Sequence, residues 1–247
     1  MSTHRGRVAI VTGAAKGIGR ELSRQMAERG ASLLLLDLDD CSATYQDVLG
    51  AGGEVVSLQA DVTNADDWRH AVDLACERFG RVDILINNAG IYPSTEFDVL
   101  DYALWRKVMN VNLDGAFLGA KAVVPTMKQC GWGRIVNIAS SSICTATQGI
   151  SHYMASKMGV IGLTRGLAND LGQHNITVNA VAPALTETPG TSEMPDAFKQ
   201  MAVGMQSIKR QAMPNDIVGP IMFLCSDDAC FVTGQLLAAD GGMMKIS

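Results

Sequence analysis

Short apolar runs alternate with longer stretches of helical period from one end of the chain to the other. The run VAIVT at 8–12 precedes a helical stretch that ends at Gly30, and the run SLLLLD at 32–37 comes next. Apolar runs without alternating polar residues are typical of strands whose two sheet faces are both covered by helices. Strand–helix alternation with right-handed crossovers produces a parallel sheet. The sequence therefore predicts an α/β fold, a doubly wound Rossmann-type parallel sheet flanked by helices on both faces.

The rest of the chain continues this pattern. Further strands are predicted at 54–59, 82–86, 133–138, 176–182 and 235–238. Helices are predicted at 17–30, 38–49, 66–79, 153–171 and 216–225, and the stretch 100–127 is long enough for one or two more. No linker rich in Pro or Ser divides the chain. We therefore predict a single domain over residues 1–247.

The composition argues against several classes of protein. The 247 residues are 47% hydrophobic and 18% charged, as in ordinary globular proteins. A net charge of −5 without a long basic run argues against nucleic acid or anionic membranes as partners. The six cysteines form no CxxC and no cluster with His, which predicts reduced thiols, a cytoplasmic protein and no metal site.

A glycine-rich segment, TGAAKGIG at 12–19, follows the first predicted strand and opens the first helix. Its glycines, Gly13, Gly17 and Gly19, are spaced G-x3-G-x-G, which departs from the G-x-G-x-x-G dinucleotide motif. Glycines still allow a tight turn and let the main chain approach a pyrophosphate that faces the helix N-terminus. The segment is predicted to bind the phosphates of a dinucleotide.

Asp37 closes the second strand, where this topology meets the adenosine ribose. A carboxylate there accepts hydrogen bonds from the ribose hydroxyls and repels a 2′-phosphate. Lys16 is the one nearby cation and the only indication of NADP, since 38–40 is Leu-Asp-Asp. Asp37 therefore favours NAD over NADP.

Further motifs occur in order between Val8 and Met243. They are ADVT around Asp61, NNAG at 87–90, VNLDGAF around Asn112, NIAS ending at Ser140, and Tyr153 with Lys157 four residues later. With the glycine-rich segment they resemble the short-chain dehydrogenase/reductase family, in its simple single-domain branch. The stretches NNAGIYP at 87–93, GWGRI at 131–135, HY at 152–153 and SDDACFVTGQLLAADGGM at 226–243 are similar to NAD-dependent secondary-alcohol dehydrogenases of the 1-phenylethanol dehydrogenase type. They are also not far from sugar-alcohol and 3-oxoacyl-carrier-protein reductase relatives. The resemblance implies an enzyme that transfers a hydride between a CH–OH group and a nicotinamide.

The resemblance also implies which residues bind the cofactor. The predicted contacts are Gly13, Lys16, Gly17, Ile18, Gly19 and Asp37 around the phosphates and ribose, Asp61 and Val62 at the adenine, Asn88, Ala89 and Gly90 in a supporting turn, and Pro183 and Thr188 at the carboxamide. Ala184 stands where the family usually has Gly. Because alanine disfavours positive φ, the path of the main chain there is open at this point.

Tyr153 and Lys157 lie on one face of the predicted helix. A phenol has a pKa of about 10, and an ammonium about 4 Å away would lower it by about three units at an effective dielectric of about 20. We therefore predict Tyr153 as general base in alcohol oxidation and general acid in the reverse direction. Lys157 would lower this pKa directly or through the nicotinamide ribose. The resemblance implies that Ser140 hydrogen-bonds the substrate oxygen and that Asn112 holds a water linking Lys157 to solvent.

The segment 184–213 is predicted as a substrate lid. Its methionines, Met194, Met201, Met205 and Met213, suit an adaptable apolar cover, and packing against the domain or a neighbouring subunit explains them equally well. Further predicted pocket walls are Ile91, Tyr92, Ile143, Cys144, Thr145 and Gln148. No cation in these segments is an evident partner for a substrate carboxylate, with Lys199 and Lys209 the nearest options. An uncharged, largely apolar alcohol or ketone is therefore favoured.

Two other functions stay open at the level of sequence. One is an NADPH-dependent 3-oxoacyl-carrier-protein reductase, against which Asp37 weighs. The other is a non-catalytic dinucleotide-binding protein, against which the four filled catalytic positions weigh. The resemblance further implies a homotetramer with the 153–171 helix and the C-terminal strand at its interfaces.

Overall fold

The computed structural model describes residues 4–245. The strands are β1 (Val8–Thr12), β2 (Ser32–Asp37), β3 (Val55–Gln59), β4 (Ile84–Asn87), β5 (Gly133–Ile138), β6 (Ile176–Pro183) and β7 (Leu236–Ala239). The helices are α1 (Gly17–Glu28), α2 (Ser42–Gly50), α3 (Ala65–Phe79), α4 (Tyr102–Met109), α5 (Gly115–Cys130), α6 (Ser151–Leu171), α7 (Asp196–Met205) and α8 (Pro214–Leu224). The predicted strands are present within one or two residues of their expected bounds.

All seven strands pair in parallel in one sheet, in the order β3-β2-β1-β4-β5-β6-β7. The chain passes from β1 to one side of the sheet and from β4 to the other. The strand order therefore reverses between these two central strands, and a crevice opens there beyond their carboxyl ends. The predicted doubly wound Rossmann-type sheet is confirmed.

The run SLLLLD shows why the strands lack alternating polar residues. Successive side chains of a strand point to opposite faces. Leu33 and Leu35 pack in the apolar layer with α1 and α8, and Leu34 and Leu36 pack in the layer with α3 and α5. All four are buried, and each contributes about 1.5–3 kcal/mol of hydrophobic free energy. Two covered faces thus require an unbroken apolar strand.

The stretch left open as one or two helices is a single helical path with a wider turn in it. α4 ends at Met109, α5 begins at Gly115, and Asn110–Asp114 between them forms a π-helical turn. Such turns often occur at functional positions inside helices. Asn112 lies in this turn and is buried.

The amino ends of the central strands carry a polar cluster on the edge opposite the crevice. The carboxylate of Asp83 is fully buried and accepts from the Val8 N–H at 2.9 Å and from Arg81 Nε at 2.9 Å. The Trp132 ring lies between the guanidinium groups of Arg7 and Arg134, at 3.6 and 4.2 Å from its centroid. This cluster joins β1, β4 and β5.

Among residues 4–245 there is no helix long and apolar enough to cross a membrane. In the same part of the chain, no three His, Cys, Asp or Glu side chains come together as metal ligands would.

Candidate active site

A cleft of about 800 Å³ opens at the carboxyl ends of the central strands. Every predicted site residue lines it except Gly19 and Asn112, which lie directly behind its wall. At one end are the glycine-rich segment and Asp37, and at the other are Ser140, Tyr153 and the 184–213 segment. The motifs that are scattered along the sequence therefore meet at one surface.

The glycine-rich segment forms a tight turn between β1 and α1. Gly13 and Gly17 have φ of +64° and +60°, the left-handed region that favours glycine. A Cβ added at Gly19 would lie 2.1 Å from Gly13 O, so only glycine fits at this position. No side chain caps the first turn of α1. Its N–H groups therefore face the cleft as donors for an anion.

Asp37 and Lys16 lie at the mouth of this turn. Asp37 Oδ2 accepts from the Ala15 N–H at 2.9 Å, and Oδ1 accepts from the Asp39 N–H at 3.0 Å. Lys16 Nζ donates to Asp39 Oδ2 at 2.8 Å, which raises the pKa of Lys16. The cation that the sequence places near Asp37 is thus already paired with a carboxylate.

The turn after β4 is bound to the glycine-rich segment. Asn88 Nδ2 donates to Thr12 O at 2.9 Å and to Gly13 O at 3.1 Å. Thr12 Oγ1 accepts from the N–H groups of Asn88 and Ala89 at 2.9 and 3.0 Å. The predicted supporting turn is therefore joined to the glycine-rich segment by the side chains of Asn88 and Thr12.

Asp61 and Val62, the predicted adenine contacts, follow β3 and line the cleft. Asp61 Oδ1 accepts from the N–H and the hydroxyl of Thr63, both at 2.8 Å. The Val62 carbonyl accepts from the Trp68 indole at 2.9 Å. Both residues are fixed by α3 and its N-terminal turn.

Ala184 has an ordinary main-chain conformation after β6. Among residues 4–245, Asn175 alone has a positive φ outside glycine. The Ala184 N–H donates to Ala239 O at 3.1 Å and so continues the pairing with β7. Alanine in place of the family's glycine therefore causes no strain. Pro183 keeps its place at the end of β6, and the Thr188 methyl packs over Gly17.

Ser140 follows β5, and Tyr153 and Lys157 share one face of α6. Ser140 Oγ accepts from the Ser142 N–H at 3.1 Å and from the Ser142 hydroxyl at 2.9 Å. Lys157 is buried, and its Nζ donates to Ile138 O at 2.7 Å and lies 5.7 Å from the centroid of the Tyr153 ring. The structure brings the three side chains to one end of the cleft.

The predicted lowering of the Tyr153 pKa by Lys157 is not present in the protein by itself and stays a prediction for the site with its cofactor. Burial raises the pKa of Tyr153 above its usual value of 10, and the hydrogen bond with Ser140 only partly opposes this rise. Burial also lowers the pKa of Lys157 to about 8. The ammonium is directed to the Ile138 carbonyl and both groups are poorly solvated, so burial is the main cause of both pKa shifts.

Asn112 holds the main chain next to the supporting turn. Its Oδ1 accepts from the Ile91 N–H at 2.8 Å, and its Nδ2 donates to Ile91 O at 2.9 Å and to Ser156 Oγ at 3.0 Å. Beside it lies a separate cavity of about 10 Å³, lined by Asn87, Asn137 and Ile138 among others. This volume suits about one water molecule.

The methionine-containing segment forms part of the opposite wall. Met194, Met201 and Met205 line the cleft, together with Phe198 from the same segment. Met213 lies outside the cleft at the start of α8. Lys199 donates to Ser192 O at 2.9 Å and pairs with Glu187 at 3.3 Å, and Lys209 donates to Gly204 O. Neither lysine is directed to a substrate in the cleft.

Two of the predicted pocket walls are misplaced. Ile143 packs in an apolar cluster with Ala139 and Ile161, and Cys144 is exposed outside the cleft. The 3₁₀ turn Ser141–Cys144 rotates these side chains away, which their position in the sequence does not reveal.

A buried hydrogen-bond chain behind the cleft was not predicted. Asn87 Nδ2 donates to Asn137 Oδ1 at 2.8 Å, and Asn137 Nδ2 donates to Thr164 Oγ1 at 2.9 Å. It links β4 and β5 to α6. Asparagine inside two apolar strand runs is the signal that could have revealed it.

Known proteins resemble this chain over nearly its whole length. The family model described as enoyl-(acyl carrier protein) reductase matches residues 13–244. The hydroxy(phenyl)methyl-succinyl-CoA dehydrogenase subunit BbsD of Thauera aromatica is 40% identical over 238 residues, 96% of each chain. The 3-oxoacyl-acyl-carrier-protein reductase FabG of Thermotoga maritima is 36% identical over 97% of this chain and 98% of its own.

A solved structure shares the fold. Carveol dehydrogenase from Mycobacterium avium, crystallised in complex with NAD, superimposes with a TM-score of 0.94 at 30% identity, covering 98% of this chain and 99% of its own. With such relatives and a family match from residue 13 to residue 244, the chain belongs to the short-chain dehydrogenase/reductase family of oxidoreductases.

Proposed function

We propose that this protein is an NAD-dependent dehydrogenase of an uncharged, largely apolar secondary alcohol, or in reverse a ketone reductase. The observation that carries the proposal is one continuous cleft with a phosphate-binding turn and Asp37 at one end and Ser140, Tyr153 and Lys157 at the other. A long anionic dinucleotide fits such a cleft because donors lie at the turn and a proton-transfer group lies at the far end.

The residues of the cleft suit a dinucleotide. Gly13, Gly17 and Ile18 with the first turn of α1 would hold the pyrophosphate, Asp37 the ribose, and Asp61 and Val62 the adenine. Asn88, Ala89 and Gly90, Pro183 and Thr188, and finally Tyr153 and Lys157, would surround the nicotinamide and its ribose. When bound, the oxidised nicotinamide would accept the hydride and add a positive charge beside Tyr153.

Two contacts support NAD over NADP. The Asp37 carboxylate would repel a 2′-phosphate. Lys16 is paired with Asp39 at 2.8 Å, so its charge is already compensated. Binding a 2′-phosphate here would require both the approach of a second anion to Asp37 and the loss of this pair.

Proton transfer would use the chain's own groups. Tyr153 would take the hydroxyl proton while Ser140 donates a hydrogen bond to the substrate oxygen as charge develops on it. Lys157 would stabilise the phenolate. Asn112 and the one-water cavity beside it would link this lysine to solvent. Because the pKa of Lys157 is about 8, the stabilising cation is lost above that pH.

The substrate end of the cleft supports an uncharged ligand. Its walls include Leu185, Met194, Phe198, Met201 and Met243, and they also carry uncharged polar side chains such as Thr147 and Gln148. The buried ammonium of Lys157 donates to Ile138 O, and Lys199, which lies outside the cleft, is paired with Glu187. A substrate carboxylate would therefore lack a partner. The 1-phenylethanol type of substrate stays a prediction within this class.

The test is a panel of secondary alcohols with NAD and, in parallel, NADP, followed by the absorbance of the reduced nicotinamide. We expect turnover with NAD that is lost by at least about a thousandfold in Tyr153→Phe, because the phenylalanine cannot accept the proton. NADH affinity, measured by fluorescence titration, should change less than about threefold in this variant. The matched control is Tyr102→Phe, a tyrosine exposed at the start of α4.

Retained turnover in Tyr153→Phe would refute the proton-transfer role. Tighter binding of NADP than of NAD would refute the cofactor assignment alone.

A second candidate function is reduction of a 3-oxoacyl thioester with NADPH. The Thermotoga maritima relative, whose name describes such a reductase, favours it. Turnover of acetoacetyl-CoA with NADPH exceeding alcohol oxidation with NAD would select this function instead.

We also propose that the protein is a cytoplasmic homotetramer. Large apolar side chains are exposed on the outer faces of two neighbouring helices, Phe117 on α5 and Met158 on α6. A second subunit could cover them. Light scattering on the purified protein measures the assembly, and fractionation of the source cells measures its location.

A further inference from the structure

Tyr92 crosses the cleft from the turn after β4. Its ring meets the Tyr153 ring edge to face, with centroids 6.3 Å apart and planes at 74°. Its hydroxyl reaches the loop after β6 so closely that a Cβ added at Gly190 would lie 2.0 Å from the oxygen. One side chain therefore connects the catalytic tyrosine to the opposite wall.

Three contacts fix the main chain on either side of Tyr92. Asn112 holds both the N–H and the carbonyl of Ile91. The Pro93 carbonyl lies 3.0 Å from Nε2 of His152, which is fully buried. The Thr95 N–H donates to Gly149 O at 2.8 Å. Because the main chain is held, the side chain of Tyr92 can leave its place only by rotation about its own torsions.

The hydroxyl of Tyr92 lies between the two functional ends of the cleft. Tyr92 lines the same cleft as Lys16 and Tyr153. Tyr92 and Gly190 line the same cleft as Asp37 and Tyr153, so a dinucleotide that extends between the latter two would run beside the contact of Tyr92 with Gly190. The side chain is 38% exposed and therefore faces solvent on its outer side.

We propose that the contact between Tyr92 and Gly190 closes over the bound dinucleotide and limits its dissociation. The inference rests on the proposed function only in requiring that a dinucleotide binds in this cleft. Tyr92 is then a positioning residue, and Gly190 is required because any side chain there displaces the tyrosine ring.

The test measures dissociation of NADH by stopped-flow fluorescence on the intact protein, with NADPH run in parallel. We expect Tyr92→Ala to raise the dissociation rate about tenfold, the factor that corresponds to losing an aromatic contact of this kind. Tyr92→Phe keeps the ring on Tyr153 and loses the hydroxyl, so the expected rise is about two- to threefold. Tyr102→Ala removes an exposed tyrosine that does not line the cleft and should leave the rate unchanged.

Gly190→Ala tests the contact from its other side. We expect it to raise the rate as Tyr92→Ala does, because its methyl group displaces the ring. In a protein that already carries Tyr92→Ala, Gly190→Ala should not raise the dissociation rate further, because there is no ring left for its methyl group to displace. Thermal melting of each variant shows whether it is folded, and Tyr92→Phe provides the comparison if an alanine variant is unstable.

Unchanged dissociation rates in both Tyr92 variants would overturn the inference. The inference would also be overturned if Gly190→Ala raised the dissociation rate as much in the Tyr92→Ala protein as in the wild type. A protein that binds neither NADH nor NADPH would overturn this inference and the proposed function together. If the rates change as expected and no secondary alcohol is oxidised, the proposed function alone fails.

Discussion

Candidate residues of the site could be named from the sequence, while their electrostatics could not be predicted. Ser140, Tyr153 and Lys157 stand in local motifs, and the residue types declare their chemistry. The pKa of Tyr153 and of Lys157, in contrast, is set by burial, which arises only when α6 packs against β5 and β6. Lys157 is thus an ammonium in a poorly solvated position. Burial of its charge should lower the free energy of unfolding by a measurable amount.

The first prediction concerns Lys157. Its pKa of about 8 in the folded protein lies below the usual 10.5, so the unfolded chain binds more protons between these two pH values. Below pH 8, burial of the charge therefore lowers the free energy of unfolding by about 3 kcal/mol. This loss disappears as the pH rises towards 10.5. The lost hydrogen bond to Ile138 O offsets part of the gain in Lys157→Met. We expect this variant to be inactive and more stable than the wild type at pH 7.

Urea unfolding at pH 7 and pH 9.5 checks this expectation. The stability difference between the two proteins should shrink at the higher pH. Lys121→Met, which removes an exposed lysine of α5, should show no such pH dependence. A difference for Lys157→Met that is constant with pH would contradict the prediction.

At the scale of elements, apolar runs predicted every strand, but the turn that places Asn112 was not visible. A π-helical turn differs from an α-helix by one residue in its hydrogen-bond spacing and has no composition of its own. The 3₁₀ turn that rotates Ile143 and Cys144 away from the cleft was missed for the same reason. Hydrogen-bonded turns of this kind depend on partners elsewhere in the fold. For Asn112 these partners are Ile91 and Ser156.

The second prediction follows from these partners. Asn112→Ala leaves the Ile91 N–H and carbonyl without their side-chain partner, and we expect a loss of about 1–3 kcal/mol in unfolding free energy. Asn112→Asp keeps an acceptor for the Ile91 N–H, cannot donate to the carbonyl, and should lose less stability. Denaturant titration ranks the three proteins. An alanine variant as stable as the wild type would show that this side chain does not hold the turn.

In the whole molecule, the two edges of the sheet differ in role: one carries the candidate active site and the other carries a polar cluster that we expect to stabilise the fold. The carboxyl edge carries the cleft, and the amino edge carries Asp83 and the Arg7–Trp132–Arg134 stack. The sequence predicted the first edge because its motifs are those of a family. The second edge could not be predicted, since its residues lie up to 127 positions apart (Arg7 and Arg134) and meet only through strand order.

The third prediction uses this separation. Asp83→Ala leaves the Val8 N–H unpaired and removes the partner of Arg81, and we expect it to cost about 2–3 kcal/mol of stability. Its kcat/KM should stay within about twofold of the wild type, because no residue of the cleft contacts the cluster. Asp66→Ala, which breaks an exposed pair with Arg69, should cost less than about 1 kcal/mol. If Asp83→Ala kept its stability and lost activity, the polar cluster would serve the active site and not the stability of the fold.

The hydrogen bonds from Asn88 to Thr12 and Gly13 span 76 and 75 positions of the chain. The glycine-rich turn is therefore completed by a residue that leaves the ribosome long after the turn itself. A nascent chain that ends before Asn88 has the whole glycine-rich segment and lacks the amide that fixes its carbonyls. Dinucleotide binding thus becomes a reporter of folding order: its onset during synthesis would mark the moment when β4 pairs with β1.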